Sequence, residues 1–536
     1  MNSFPALRRL VAAGTTAIIL AGVLVTLAWS NRKANDTKAD EEKNASSHGW
    51  TLWGGSLQRN MVNTTERDMP TEWSVEEGSQ KNIKWSAALG SKAYGGPVVG
   101  DGKVFIGTNN DKPRDPKITD DKGIVMCFRE SDGKFLWQAV HDKLTAGLVN
   151  DWPREGVCST PVVEGKRIYY VSNRCEVECA TTEGLRDGMN VGVKDEKYKG
   201  PGNADFVWRF NMMRELNVFP HNLSASSPLI VGDHLYVVTS NGVDEGHKNI
   251  PSPQAPSFLC LNKKTGKVVW TSNAPGNHIM HGQWSSPVYA EVNGKGQIIF
   301  PGGDGYMRGF EADTGKVLWK FFCDPIHSVY LLGGKGTRSD FLATPVVYHD
   351  KLYIGVGQDP EHEEGVGHFW CIDLQKATRF GATNKDNDVS PVNDNFDPKA
   401  EVNQHSALGW HYGGAAKDPE KLGRNYYFGR TLSTACIHDG LVYIADLSGW
   451  LHCLDAETGE QYWEHETGAA CWSSAYYVDG KVYLGNDDGK MTIFEAGKNK
   501  KVLNEIDMGA TIRATPVAAD GILYVMTENR LYAIKK

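Results

Sequence analysis

The chain has 536 residues, a formal net charge of −8, 40% hydrophobic and 23% charged residues, the composition of a soluble globular protein. No basic field exists to draw phosphate, so a nucleic-acid partner is excluded. Its 58 glycines fit an all-β chain with many turns.

Residues 1–30 read as a leader. Leu10 to Ala28 is uncharged and apolar, and Arg8 and Arg9 precede it. The run is longer than a usual signal core and near the lower limit for a membrane span. A cleaved signal peptide and a retained inner-membrane anchor therefore both fit. The arginines hold the N-terminus in the cytoplasm and put the rest on the exported, periplasmic side. Thr26-Leu27-Ala28 offers small residues for cleavage. The surroundings of Arg8-Arg9 suit a twin-arginine signal poorly, and no cysteine in or just after the run serves a lipid anchor. Residues 31–49 are polar and charged and read as a disordered tether. Residues 50–80, opening with "WTLWGGSLQRN", form a lead-in segment.

From residue 81 the chain repeats itself, which overrides a domain count based on length. One hairpin type recurs eight times, from "GGPVVGDGKVFIG" at Gly95 through "STPVVEGKRIYYV" at Ser159 to "ATPVAADGILYVM" at Ala514. Apolar, often β-branched or aromatic residues flank Asp-Gly or Glu-Gly turns, the signature of a hairpin. A second hairpin follows in each unit, as in "CLNKKTGKVVWTS" from Cys260 and "FEADTGKVLWKF" from Phe310. Four strands per unit make a propeller blade. The predicted fold over residues 81–536 is thus an all-β, eight-bladed propeller of four-stranded antiparallel sheets. The eighth copy stops one strand short at "RLYAIKK", and "NIKWSAAL" near the start supplies the missing strand. The residues closing the units are Trp137, Trp208, Trp270, Trp319, Trp410, Trp463, Leu503 and, in the borrowed strand, Trp85. Each indole is expected to lie across the gap to the next blade. Cys127, Cys179, Cys260, Cys371 and Cys453 fall at one repeat position and read as small buried hydrophobes. Cys175 and Cys179 also fit a disulfide or half of a metal site. No Cys-x-x-Cys-His occurs, which excludes covalent haem.

The repeat resembles the tryptophan-docking unit of the PQQ-like, or quinoprotein alcohol dehydrogenase-like, eight-bladed propellers. That family holds both pyrroloquinoline-quinone-dependent dehydrogenases and non-catalytic scaffolds such as BamB. The resemblance implies a quinone on the axis between a tryptophan and a disulfide of adjacent cysteines. It also implies a calcium ion held by a glutamate and an asparagine, and an aspartate as base. Carried onto this chain, the cysteine pair becomes Val157-Cys158, so that platform is absent. Asn241 takes the calcium asparagine's place and Glu176 the glutamate's, and "HGQWS", with His281 and Trp284, answers to the His-Asp-x-Trp-Asp string that carries the base, with Gly282 at its first aspartate. Ser285 stands where the family has its aspartate, and Gly303-Asp304-Gly305 replaces an Arg-Asn-Gly that contacts the quinone.

Other candidates lie in loops ahead of inner strands: Trp152, Arg154, His221, Arg338, Arg430, Trp472 and Arg513. They could hold an anionic or planar ligand, or merely line a solvated funnel. Asp359, Glu361, His362, Glu363, Glu364 and His368 suit a divalent metal or a polar blade loop. Asp244 and Glu245 near Asn241 offer a second calcium reading. Inserts at 180–205 and 376–429 are long enough to carry partner specificity. The sequence therefore favours a non-catalytic, BamB-like propeller that binds an envelope protein or small ligand through its funnel loops. The alternative is a PQQ- and calcium-dependent dehydrogenase with a modified site.

Overall fold

The computed structural model describes residues 49–324, 339–358, 365–393 and 399–536. The expected leader and tether, Arg338, and Asp359 through Glu364 lie outside the described residues. Among the described residues no helix is long and apolar enough to cross a membrane.

Eight antiparallel sheets follow one another along the chain, each with four blade strands. Blade 1 runs from Val98–Gly100 to Phe135–Asp142 and blade 2 from Val162–Glu164 to Phe206–Asn211. Blade 3 spans Leu229–Val231 to Val268–Ser272, and blade 4 Val288–Val292 to Val317–Phe322. Blade 5 spans Val346–Tyr348 to Leu408–Gly413, and blade 6 Cys436–His438 to Gln461–Glu466. Blade 7 runs from Tyr476–Val478 to Val502–Asp507. Blade 8 joins Val517–Ala519, Ile522–Met526 and Arg530–Ile534 to Ile83–Ala88 from the start of the propeller segment.

The tryptophan and the Thr-Gly turn of the repeat are two halves of one contact. A β-carbon added to Gly133, Gly266, Gly315 or Gly459 would stand 2.4–2.6 Å from the ring of Trp85, Trp208, Trp270 or Trp410 respectively. Each glycine belongs to the blade after its tryptophan, and each has φ between 67° and 75°. Glycine is thus required twice, for the left-handed turn and for the indole lying on it. The indole N–H then donates to a carbonyl of the same turn: Glu130, Lys263, Ala312 or Ala456. The repeated cysteines have a matching reason. Cys127, Cys179, Cys260, Cys371 and Cys453 pair across the ladder with Trp137, Trp208, Trp270, Trp410 and Trp463, where a small buried side chain leaves room for the indole. All ten cysteines, Cys175 and Cys179 included, are free thiols.

Two blades depart from the pattern. In blade 7 the tryptophan's position, opposite Ile493, is held by Asn504 and not by Leu503 as the sequence spacing suggested; Leu503 is the residue skipped at the bulge that every outer strand has. The Asn504 amide donates to Thr71 O, and buried Trp73 from the lead-in segment packs there in place of the missing indole. In blade 4, Trp319 bonds Gln297 of its own blade. The helix Leu374–Gly381, at the start of the second insert, covers Trp319, with Gly381 against its backbone and β-carbon. The first insert is tied down by its own carboxylates: Glu196 accepts from Phe206 N and Asp205 from Val191 N.

Candidate functional site

The loops that could carry chemistry are those just ahead of each innermost strand, and the Ser/Thr pairs of the repeat fix them. Ser159 Oγ donates to Ser226 O, Ser285 Oγ to Ala343 O and Ser433 Oγ to Ser473 O, at 2.9, 2.5 and 2.7 Å. The next residue accepts from the preceding blade: Gly96 N to Thr160 Oγ, Thr160 N to Ser227 Oγ, Ser227 N to Ser286 Oγ. Hydrogen bonds therefore step from blade to blade near the axis and hold the upstream loops in register.

Residues 50–63 cross the innermost strands of all eight blades. Backbone amides of Val99, Val163, Tyr289, Val347 and Tyr477 donate to carbonyls of Trp50, Thr51, Leu57, Gln58 and Met61. Arg59 donates to Ser227 O and Pro228 O in blade 3, Asn60 accepts from Ile437 N, and Asn63 donates to Ala518 O. This strap closes one end of the axial space and puts Trp53 on its floor. What remains is a blind cavity of about 360 Å³. Trp152, Trp284, Trp472 and Tyr94 form much of its wall, with Glu155 and Cys158 between them.

Polar groups stand in and behind the cavity wall. Arg513 lies 4.7 Å from the Trp472 ring and donates to the Tyr94 hydroxyl at 2.7 Å, while its other nitrogens face Asp487. Burial, followed by the adjacent Glu155 carboxylate, pushes the Tyr94 hydroxyl upward, and burial likewise raises the Cys158 thiol. Trp53 Nε1 and Glu155 Oε2 are buried and have no hydrogen-bond partner among the described residues.

Of the residues singled out by sequence, Trp284 and Trp472 line this cavity, as does Trp152. Ser285 does not face it as a reactive group; its hydroxyl has the same structural hydrogen bond as Ser159 and Ser433. Asn241 is fully buried, accepts from Phe219 N at 2.9 Å and donates to Ser252 O at 2.9 Å. Glu176 accepts from Asn211 and pairs with Arg174, beside a separate polar cavity that also holds His141 and Arg209. Arg430 is buried against Gly357 and Gly365. Asp304 holds Arg308 through both oxygens, at 2.8 and 2.6 Å. Asp244 caps its own loop through Lys248 and Asn249. Calcium needs several converging oxygen ligands. With both amide atoms of Asn241 engaged and Glu176 bound elsewhere, the residues present do not fit the calcium–quinone site implied by the resemblance.

Three residues near the cavity were missed or undervalued in the sequence: Tyr94, Glu155 and His247. His247 stands in a triad with His221 and His281, whose ring centroids are 4.5–4.9 Å apart. His281 borders the cavity and packs edge-on against Trp284 at 5.0 Å.

A family model described as outer membrane protein assembly factor BamB, of the PQQ-like propeller type, matches residues 202–365 and 406–536, more than half of the chain. The chain belongs to this PQQ-like propeller family. A curated relative, the quinoprotein ethanol dehydrogenase of Pseudomonas putida, is 33% identical over 104 residues, 19% of this chain. The matched part spans only 13% of that relative's length. Among solved structures, a europium-containing methanol dehydrogenase superposes with a TM-score of 0.52 at 12% identity, covering 91% of this chain and 98% of its own. BamB from Moraxella catarrhalis gives a TM-score of 0.46 at 12% identity, covering 84% of this chain and 96% of its own. At 12% identity the likeness to the methanol dehydrogenase speaks for fold alone.

Proposed function

We propose that this chain is an exported, BamB-like binding propeller of the cell envelope that takes a small planar ligand into its blind axial funnel without oxidising it. One observation carries the reading: the strapped axial cavity of about 360 Å³ is walled by Trp152, Trp284 and Trp472, with Trp53, Tyr94 and Glu155 among its lining residues. A few convergent polar points in an aromatic pocket are how small-molecule sites fix orientation. A planar ring fits among Trp152, Trp284 and Trp472. The exported location rests on the apolar run after Arg8-Arg9 and on the envelope role named for the BamB relatives. The inserted loops around blades 2 and 5 offer surfaces for a partner protein.

A second reading, oxidation of an alcohol with a bound quinone, is favoured by the 33% identity to the ethanol dehydrogenase segment. It would have to use Glu155 as its base, since Ser285 accepts no proton from an alcohol at neutral pH. The test adds pyrroloquinoline quinone to the full chain, with and without calcium, and follows tryptophan fluorescence and dye-linked alcohol oxidation. Saturable one-to-one quenching that is independent of calcium, lost in Trp472→Ala and unaccompanied by turnover is the expected result. Alcohol oxidation that disappears in Glu155→Gln would install the dehydrogenase reading instead. Failure of any saturable quenching would remove the planar-ligand reading.

A further inference from the structure

We propose that His221, His247 and His281 form a binding site for a transition-metal dication of the zinc class, set in the wall of the funnel. Three separate loops deliver the imidazoles. His221 precedes the innermost strand of blade 3, His247 lies between that blade's second and third strands, and His281 precedes blade 4. The Nε2 of His247 lies 3.1 Å from that of His221 and 3.2 Å from that of His281. Ligand atoms of all three lie within 4.8 Å of one another. Zinc–imidazole bonds of about 2.0–2.1 Å at tetrahedral angles set ligand nitrogens roughly 3.3 Å apart. The two measured separations match two edges of such a site.

The hydrogen on His221 is assigned by its surroundings. Its Nδ1 stands 2.8 Å from the carbonyl of Val243, which can only accept, so Nδ1 carries the hydrogen and Nε2 offers its lone pair to the cluster. A ring N–H on His247 has one direction and faces two neighbouring nitrogens. A cation among the three rings meets every lone pair at once. Glycines let the loops come this close. A β-carbon on Gly242 would stand 2.5 Å from that of His221 and 2.7 Å from His281 O, and one on Gly282 would enter the Trp284 ring at 2.2 Å. The loops are then pinned through atoms that leave the ring nitrogens alone. Trp284 Nε1 donates to His221 O at 3.0 Å, and Val243 N donates to His281 O at 3.0 Å.

The donor set decides the metal. Three imidazoles, the ligand group found among the described residues, suit zinc, copper or nickel, whereas calcium takes oxygens. The ion therefore differs in kind from the calcium of the quinoprotein resemblance. His281 borders the funnel, so the ion would stand beside it. The site stands whether or not the funnel takes a planar ligand.

The experiment uses the full chain stripped by a chelator, titrated with Zn²⁺ against a chromophoric competitor and separately with Co²⁺ and Ca²⁺. Expected are one tightly held zinc per chain and the visible d–d bands of four-coordinate cobalt. His247→Ala and His281→Ala should each weaken zinc by about 100-fold or more. His141→Gln, in the other histidine-containing cluster, should leave the titration unchanged. Circular dichroism and the melting curve show that each variant is folded, and half-buried His247 also tolerates the milder His247→Asn. The proposal is overturned by a folded parent that binds neither zinc nor cobalt, by calcium binding in their place, by full affinity in the double alanine variant, or by loss of the site in His141→Gln.

Discussion

At the scale of single residues, the repeat is governed by an indole on a glycine. This separates two effects that a glycine substitution usually mixes. Gly294 and Gly315 have φ of 73° and 71°, but a β-carbon meets nothing within 4 Å at Gly294 and the Trp270 ring at 2.5 Å at Gly315. Gly294→Ala should therefore cost only the left-handed backbone, about 1–2 kcal/mol. Gly315→Ala should approach the loss of the docked indole itself, about 3–5 kcal/mol as in Trp270→Ala. Paired urea melts check this, and equal losses for the two glycine variants would count against indole docking as the role of Gly315. The tryptophans were legible because a large aromatic at fixed spacing leaves a trace in every copy. Blade 7 was misread by one residue for the opposite reason: no aromatic marks the position, Leu503 looks right as a hydrophobe but is the residue skipped at the common bulge, and Trp73 arrives from far away in sequence.

At the scale of elements, the contacts between neighbouring blades and the strap under them set how stability responds to pH. His141, in the outer strand of blade 1, faces Glu178 in the third strand of blade 2, with Nδ1 to Oε1 at 3.8 Å. Burial lowers the His141 imidazole from 6.5 to about 3. Burial, with the neighbouring Glu176 carboxylate adding to it, also raises the Glu178 carboxyl from 4.5 to about 8, outweighing Arg209 at 3.1 Å. For His141 the unfolded chain binds the extra proton, so stability is lost as pH falls from 6.5 toward 3. For Glu178 the folded chain binds it, so stability is lost as pH rises from 4.5 toward 8. Relative to the parent, Glu178→Gln should gain melting temperature between pH 5 and pH 9, by ~2 °C or more. His141→Gln should lose less than the parent between pH 6.5 and pH 4. Parallel melting-temperature curves for parent and variants would refute the assignment. Such pairs, like the histidine triad, were invisible in the sequence. His221, His247 and His281 sit on three loops with no metal-ligand spacing between them, and only the blade stacking makes them neighbours. The strap was equally hidden: "WTLWGGSLQRN" read as a lead-in, yet buried Arg59 within it binds four carbonyls, those of Trp53, Ser227, Pro228 and Pro287.

At the scale of the whole molecule, the architecture was readable because eight registered copies repeat both hairpins, and the unequal eighth copy pointed to its own missing strand. The borrowed strand Ile83–Ala88 pairs with Arg530–Ile534, flanked by the bonds Leu89 N to Asn529 O and Lys535 N to Asn82 O. Trp85 also docks on Gly133 in blade 1, so this one strand joins blade 8 to blade 1. A chain beginning at residue 90 would lose the strand, the indole and the strap beneath all eight blades together. It would also expose Arg530–Ile534 as an unpaired sheet edge, a template for pairing between molecules. Such a chain should melt at least 10 °C below the parent or self-associate on a sizing column, by analogy with other lost edge and interface contacts. Adding residues 49–89 as a separate peptide should restore the monomer, because the missing contacts are noncovalent and the connection from residue 89 to blade 1 is short. A truncated chain that stays monomeric with the parent's melting curve would show that the seven complete blades and the three-stranded remnant hold together unaided.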